Sequence, residues 1–111
     1  MKTHIKTTKL DLTPSLEVYV ESKLGTLSKF VNKFEEEGVA ELWIELARTT
    51  RHHYKGDVFL AEADLRLPGV VLRGEALESD IHAAIDKLRT ILRMEIEKYK
   101  TKKVNPRRAR V

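Results

Sequence analysis

The sequence predicts an α+β domain in which a strand, a helix, three strands and a second helix follow one another. In that β-α-β-β-β-α order, a four-stranded sheet carries both helices on one face. Three observations lead there. Residues 13–34 and 79–99 carry apolar side chains at helical spacing. Between them lie three stretches that alternate apolar and polar residues. A short β-branched stretch precedes the first helix. With 111 residues, 41% apolar and 34% charged, the chain suits one domain around one core. We place that domain at 1–103 and expect 104–111, which has no apolar period, to be a flexible basic tail.

The first strand is expected over Thr3-His4-Ile5-Lys6-Thr7-Thr8. Thr13-Pro14 then supplies an N-cap and a first helical position. From there Leu16, Val20, Leu24, Leu27, Val31 and Phe34 form one stripe of a single helix. Gly25 weakens that helix by about 1 kcal/mol relative to Ala, and Gly38 follows as a terminator. Ala40, Leu42, Ile44 and Leu46 define the second strand, and Phe59, Ala61, Ala63, Leu65 and Leu67 the third. Val70, Leu72, Gly74 and Ala76 define the fourth. Pro68-Gly69 is a two-residue hairpin turn, which pairs Leu67 with Val70, Leu65 with Leu72 and Asp64 with Arg73. Ser79 or Asp80 caps the second helix, whose stripe is Ile81, Ala84, Ile85, Leu88, Leu92, Ile96 and Tyr99.

Charge is divided unevenly over these elements. Residues 86–111 hold ten Lys or Arg against three acids, a net of +7, whereas residues 1–85 carry −3. The sequence pI near 9.4 therefore conceals an acidic body with a basic C-terminal arm, which points to a polyanionic partner. On the second helix Arg89, Arg93 and Lys100 share one flank, and Lys87, Lys98 and Lys102 the other. Lys103 and the tail residues Arg107, Arg108 and Arg110 extend the basic arm. On the first helix Lys29 and Lys33 share a flank. Lys23 lies at the edge of the stripe, either snorkelling over a buried stem or holding a charge in the groove between the helices. The open sheet face is expected to be acidic, with Glu41, Glu45, Glu62, Asp64 and Glu75 partly offset by Arg66 and Arg73. Trp43 alone would offer a base a stacking platform there, which argues against single-stranded RNA on the sheet.

Several classes of activity find no support. There is no Cys, hence no disulfide and no thiolate metal site. No apolar run approaches the roughly 20 residues of a membrane span, and the N-terminus lacks the apolar core of a secretory signal. A cytoplasmic protein without membrane contact is expected. No phosphate loop, nucleophile elbow or acid–base pair appears, so we expect no enzyme, no cofactor and no small-molecule substrate. His52 and His53, adjacent on one loop, lack the partners of a metal site. With Arg51 and Lys55 they are candidate phosphate contacts, while His4 and His82 look isolated.

Several segments together resemble the ribosome hibernation-promoting factor family, also known as protein Y or the sigma-54 modulation family. They are Ile5-Lys6-Thr7-Thr8, Leu12-Thr13-Pro14-Ser15-Leu16, Tyr19-Val20-Glu21-Ser22-Lys23-Leu24 and Leu27-Ser28-Lys29-Phe30. Glu62-Ala63-Asp64-Leu65 with Pro68-Gly69-Val70 continues the series. The most specific segment is Glu78-Ser79-Asp80-Ile81-His82-Ala83-Ala84-Ile85-Asp86-Lys87-Leu88. The likeness spans residues 3–103. It implies a fold akin to a double-stranded-RNA-binding domain and a protein without chemistry of its own. Such a protein binds the small ribosomal subunit, alone or within the 70S ribosome, where mRNA and tRNA anticodon stems sit, and silences it when growth slows. Lys23, Lys29, Lys87 and Lys98 match basic positions of the family; Arg89, Arg93, Lys100, Lys102 and Lys103 join them on our own helical wheel. Long members add a domain that pairs two ribosomes, and some short ones end in an acidic tail where this sequence has Arg107-Arg108-Ala109-Arg110. Two other functions fit the residues: a general double-stranded-RNA binder or RNA chaperone, and a protein-interaction module using the acidic sheet face.

Overall fold

The computed structural model describes residues 1–32, 39–50 and 56–104, with the backbone alone at Thr50, Asp57, Lys103 and Val104. The element order is the expected one. Strand β1 (Lys2–Thr8) leads to helix α1 (Pro14–Lys23), where the Leu16 N–H donates to the Thr13 hydroxyl at 3.2 Å and Pro14 begins the first turn. The single first helix is not continuous. α1 ends at Lys23, a 3₁₀ turn occupies Gly25–Leu27, and a four-residue helix α2 (Ser28–Val31) follows. The break falls at the residue with the poorest helix propensity short of proline, and the Leu27 N–H reaches back to the Leu24 carbonyl at 3.1 Å. Side chains three apart eclipse in a 3₁₀ turn, so Leu24 and Leu27 stay aligned across the break. Leu16, Val20, Leu24, Leu27 and Val31 are all buried. Phe34 and Gly38 lie outside the described residues.

Strands β2 (Glu41–Thr50), β3 (Asp57–Leu67) and β4 (Val70–Glu78) form an antiparallel meander, and β1 pairs in parallel with β2. The sheet order is therefore β1-β2-β3-β4, with β1 and β4 at its edges. Leu67 pairs with Val70, Leu65 with Leu72, Ala63 with Gly74 and Asp64 with Arg73. Proline holds φ near −65° and Gly69 takes φ +81°, the combination of a type II turn that glycine accommodates at no steric cost.

Helix α3 (Ile81–Val104) is capped by Asp80 rather than Ser79. The Ala83 N–H donates to the Asp80 carboxylate at 3.2 Å, and the Ala84 N–H to its carbonyl at 3.0 Å. Burial works against the Asp80 charge, but hydrogen bonds from the Ala83 backbone and from His82 hold its carboxyl below the usual range. α1, α2 and α3 all pack on the sheet face that carries Leu42, Ile44, Leu46, Ala61, Ala63, Leu65, Leu72 and Ala76, forming one hydrophobic cluster. Small residues under α3 set how close it lies. A Cβ at Gly74 would stand 3.0 Å from Leu88 Cδ1 and 3.1 Å from Ile91 Cγ2. Burial of each large aliphatic side chain contributes about 1.5–3 kcal/mol, so the pairing of α3 with the sheet is held tightly.

Candidate nucleic-acid interface

α3 is 24 residues long, about 36 Å at 1.5 Å per residue. Its two flanks meet different neighbours. Toward α2, the half-buried Phe30 collects three cations: the Arg93 guanidinium lies 4.2 Å from the ring centroid, Lys29 Nζ 5.2 Å and Lys100 Nζ 5.8 Å. Cations within about 6 Å of an aromatic face are attracted by its quadrupole. The ring therefore holds together three like charges from two helices that would otherwise repel. Among the described residues, no ion pair ties Arg89, Arg93 or Lys100 to a carboxylate. On the other flank Lys87 pairs with Glu78 at 3.5 Å and Lys98 with Glu95 at 3.4 Å. Among the described residues the two flanks thus differ in how far carboxylates engage their cations.

The groove between α1 and α3 continues this flank toward the start of α3. The Tyr19 hydroxyl donates to Asp86 Oδ1 at 2.6 Å, and Lys23 Nζ lies 3.8 Å from the same oxygen. Lys23 also sits 5.6 Å from the Tyr19 ring centroid, and His82 meets that ring edge-on at 4.5 Å. The hydrogen bond to Asp86, then burial, then the Asp86 and Asp80 charges hold the Tyr19 hydroxyl above its ordinary value. Lys23 is therefore the base in the groove, with 42% of its side chain exposed. His82 is not isolated: its Nδ1 stands 3.6 Å from Asp80 in the first turn of α3.

The opposite, open sheet face is acidic, as expected. Strand register lines up Lys6, Glu45, Glu62 and Glu75 across all four strands. Lys6 Nζ and the Thr8 hydroxyl reach Glu45, at 3.8 and 3.3 Å. A hydrogen bond to Glu45, then burial, then the charges of Glu45, Glu75 and Asp64 raise the Glu62 carboxyl above its ordinary value. Trp43 is not the open stacking platform expected from the sequence. His4 stacks on it at 3.9 Å and 14°, the Arg66 guanidinium lies 4.7 Å from its ring centroid, and its indole N–H donates to Glu41 at 2.9 Å. His4 is thus also engaged rather than isolated. Lys2, Lys6, Arg66 and Arg73 share this face with its five carboxylates, and Arg73 pairs with Asp64 at 3.2 Å.

Of the residues singled out from sequence, the structure brings Lys23, Lys29, Arg89, Arg93 and Lys100 to the helical groove and its flank. Lys87, Lys98 and Lys102 stand on the flank toward β4. Lys33, Arg51, His52, His53, Lys55, Arg107, Arg108 and Arg110 lie outside the described residues, as does the Lys103 side chain. Sequence reasoning missed Phe30, Tyr19 and Asp86. Only contacts between helices give them a role, and their nearest signal was an aromatic pair beside the apolar stripe. Among the described residues no group of His, Asp or Glu is placed to hold a metal ion, and no helix is long and apolar enough to cross a membrane.

Comparison with known proteins agrees with this architecture. The chain is 28% identical over 98 residues to a ribosome hibernation promotion factor of Deinococcus radiodurans, covering 88% of this chain and 48% of that protein. It is 30% identical over 102 residues to one of Lactococcus lactis, covering 92% and 51%. It thus spans about half the length of these curated relatives. The Protein Y N-terminal domain of Thermus thermophilus superposes with a TM-score of 0.69 at 25% identity, over 89% of this chain and 99% of that one. A ribosomal subunit interface protein from Coxiella burnetii, at 19% identity, shares the fold with a TM-score of 0.65 over 91% and 99%. Residues 3–104 match the model of the sigma 54 modulation protein / S30EA ribosomal protein family, and with nearly the whole domain inside that match the chain belongs to this family.

Proposed function

We propose that this domain silences ribosomes: its helical side binds rRNA of the small subunit, within the 30S particle or the 70S ribosome, where mRNA and tRNA anticodon stems sit. The observation that carries the proposal is the two-sidedness of the molecule. Lys23, Lys29, Arg89, Arg93 and Lys100 converge on one side, and the carboxylate row of the sheet lies on the other. The names of the relatives support the ribosome as the target. Binding would act by occupancy, without chemistry, in the cytoplasm during slow growth. Six to ten phosphate contacts would lose about 10³–10⁵ in affinity between 50 and 200 mM salt, and shape rather than base edges would supply selectivity.

The test is co-sedimentation with 30S subunits and 70S ribosomes across a salt series, beside a bare RNA duplex. Stoichiometric binding that persists at physiological salt and is displaced by tRNA is expected. Equal, salt-labile binding to the duplex would instead mark a general double-stranded-RNA binder. Lys29→Glu with Arg93→Glu should abolish ribosome binding and leave the far-ultraviolet circular dichroism unchanged. Lys23→Glu is the poorer probe, because it would set a second carboxylate against Asp86.

A further inference from the structure

Asp86 is an acid on the flank of α3 that otherwise gathers Arg89, Arg93 and Lys100, and its position needs a reason. It lies six residues beyond the Asp80 cap, past the first turn where the helix dipole favours an acid. Its Oδ1 accepts from the Tyr19 hydroxyl at 2.6 Å and stands 3.8 Å from Lys23 Nζ. These are the donors, a phenol and an ammonium, that a phosphate oxygen would take in the same groove. A neutral Asn would serve Tyr19 equally through its carbonyl oxygen. The charge itself is what the hydrogen bond does not require.

We propose that Asp86 is a specificity-determining residue, an internal anion that occupies Lys23 and Tyr19 and thereby restrains indiscriminate RNA binding. The inference rests on the proposed function, in that it takes the α1–α3 groove to face RNA. A phosphate entering the groove must draw Lys23 away from Asp86 and tolerate the carboxylate that remains. Any duplex meets this opposition in full. A folded target whose phosphates already engage Lys29, Arg93 and Lys100 presents the next phosphate to Lys23 at high effective concentration, so the opposition is largely overcome. Asp86 therefore lowers affinity for arbitrary RNA more than for a surface matched to the whole flank.

The experiment compares the parent chain with Asp86→Asn and Asp86→Glu. Each is titrated against an RNA duplex long enough to span both helices, and each is sedimented with 30S subunits. A like charge about 4 Å from a phosphate in water is worth roughly fivefold in an equilibrium constant. Asp86→Asn should therefore tighten duplex binding about fivefold and steepen the slope of log K against log salt by about 0.9, one added phosphate contact. Its affinity for 30S subunits should change much less, and Asp86→Glu should behave as the parent. Equal changes on duplex and subunit, or none on the duplex, would overturn the proposal, as would failure of every variant to bind duplex at low salt. If the parent does not sediment with subunits while Asp86→Asn still tightens duplex binding, the proposed function fails and the restraint on RNA binding stands. A structural tie alone would appear as a lower melting temperature with an unchanged salt slope.

Discussion

Gly74 lies where α3 packs close against the sheet, and Gly74→Ala tests how that approach is held. The new methyl would meet Leu88 Cδ1 at 3.0 Å, Ile91 Cγ2 at 3.1 Å and Leu92 Cδ2 at 3.3 Å, against an optimum of about 3.5–4.0 Å between carbons. Leu88 and Leu92 are fully buried and have little room to give, whereas Ile91 is half-buried and has more. Overpacking of this kind costs about 1–3 kcal/mol, and the reduced freedom of the unfolded chain returns about 0.4–1 kcal/mol. The clash wins, leaving a net destabilisation of about 1 kcal/mol. At roughly 2.1 cal/mol/K per residue, that lowers the melting temperature of a chain this size by about 4 °C. Gly74→Val should cost more. Thermal and urea unfolding followed by far-ultraviolet circular dichroism would measure both. In a double-mutant cycle, Ile91→Ala should absorb part of the cost, with a coupling of at least about 0.5 kcal/mol. A Gly74→Ala protein that melts at or above the parent temperature would refute the reasoning, because the core would then contain room that the distances deny.

Four further outcomes can be checked. The phenolate absorbance step that disappears in Tyr19→Phe should lie above the ordinary tyrosine range. Because the folded state raises the Tyr19 value, its stabilisation is complete below the ordinary tyrosine range and is lost as pH rises through the folded value. The raised Glu62 carboxyl favours the fold at acid pH and loses that contribution as pH rises through its folded value. Glu62→Gln should therefore melt above the parent at neutral pH, with the gap closing on acidification. Asp80→Ala removes the cap of α3 and should cost about 0.5–2 kcal/mol; since the Asp80 value is lowered, the charge-dependent part of its contribution is present above the ordinary Asp range and fades as pH falls through the folded value. In ribosome or duplex binding, Arg93→Ala should reduce affinity and salt slope more than Lys87→Ala, because Lys87 must first leave Glu78.

The sequence made legible whatever depends on period. Alternation in residues 40–47, 59–67 and 70–76 located three strands, and Pro68-Gly69 set the register of two of them to the residue. The interruption at Gly25 was hidden, because a 3₁₀ turn keeps Leu24 and Leu27 on one line and the apolar stripe reads the same with or without it. The parallel partnership of β1 with β2 was equally hidden, since a period of two fixes a strand's faces and not its neighbour. For the site, the basic flanks of the second helix could be read from a helical wheel. Their inequality could not: Lys87 is paired with Glu78 from a strand, and Arg93 lies against Phe30 from another helix. Asp86 looked like an ordinary acid in the opening turns of a helix until Tyr19 was found bonded to it.

The parallel edge strand also bears on the order of folding. β2, β3 and β4 join through short connections and run straight into α3, so their contacts close small loops. Lys2 pairs with Glu41 and Thr8 with Ala47, 39 residues apart in each case, and must await a much larger closure. Closure entropy grows with loop length, and topologies rich in distant pairings fold more slowly. During synthesis β1 thus has no strand to join until β2 has emerged. Substitutions in β1, such as Ile5→Val, should accordingly hasten unfolding and leave the refolding rate nearly untouched, whereas Leu65→Ala in the meander should slow refolding. Stopped-flow chevrons that assigned both effects to the same limb would place β1 in the nucleus instead.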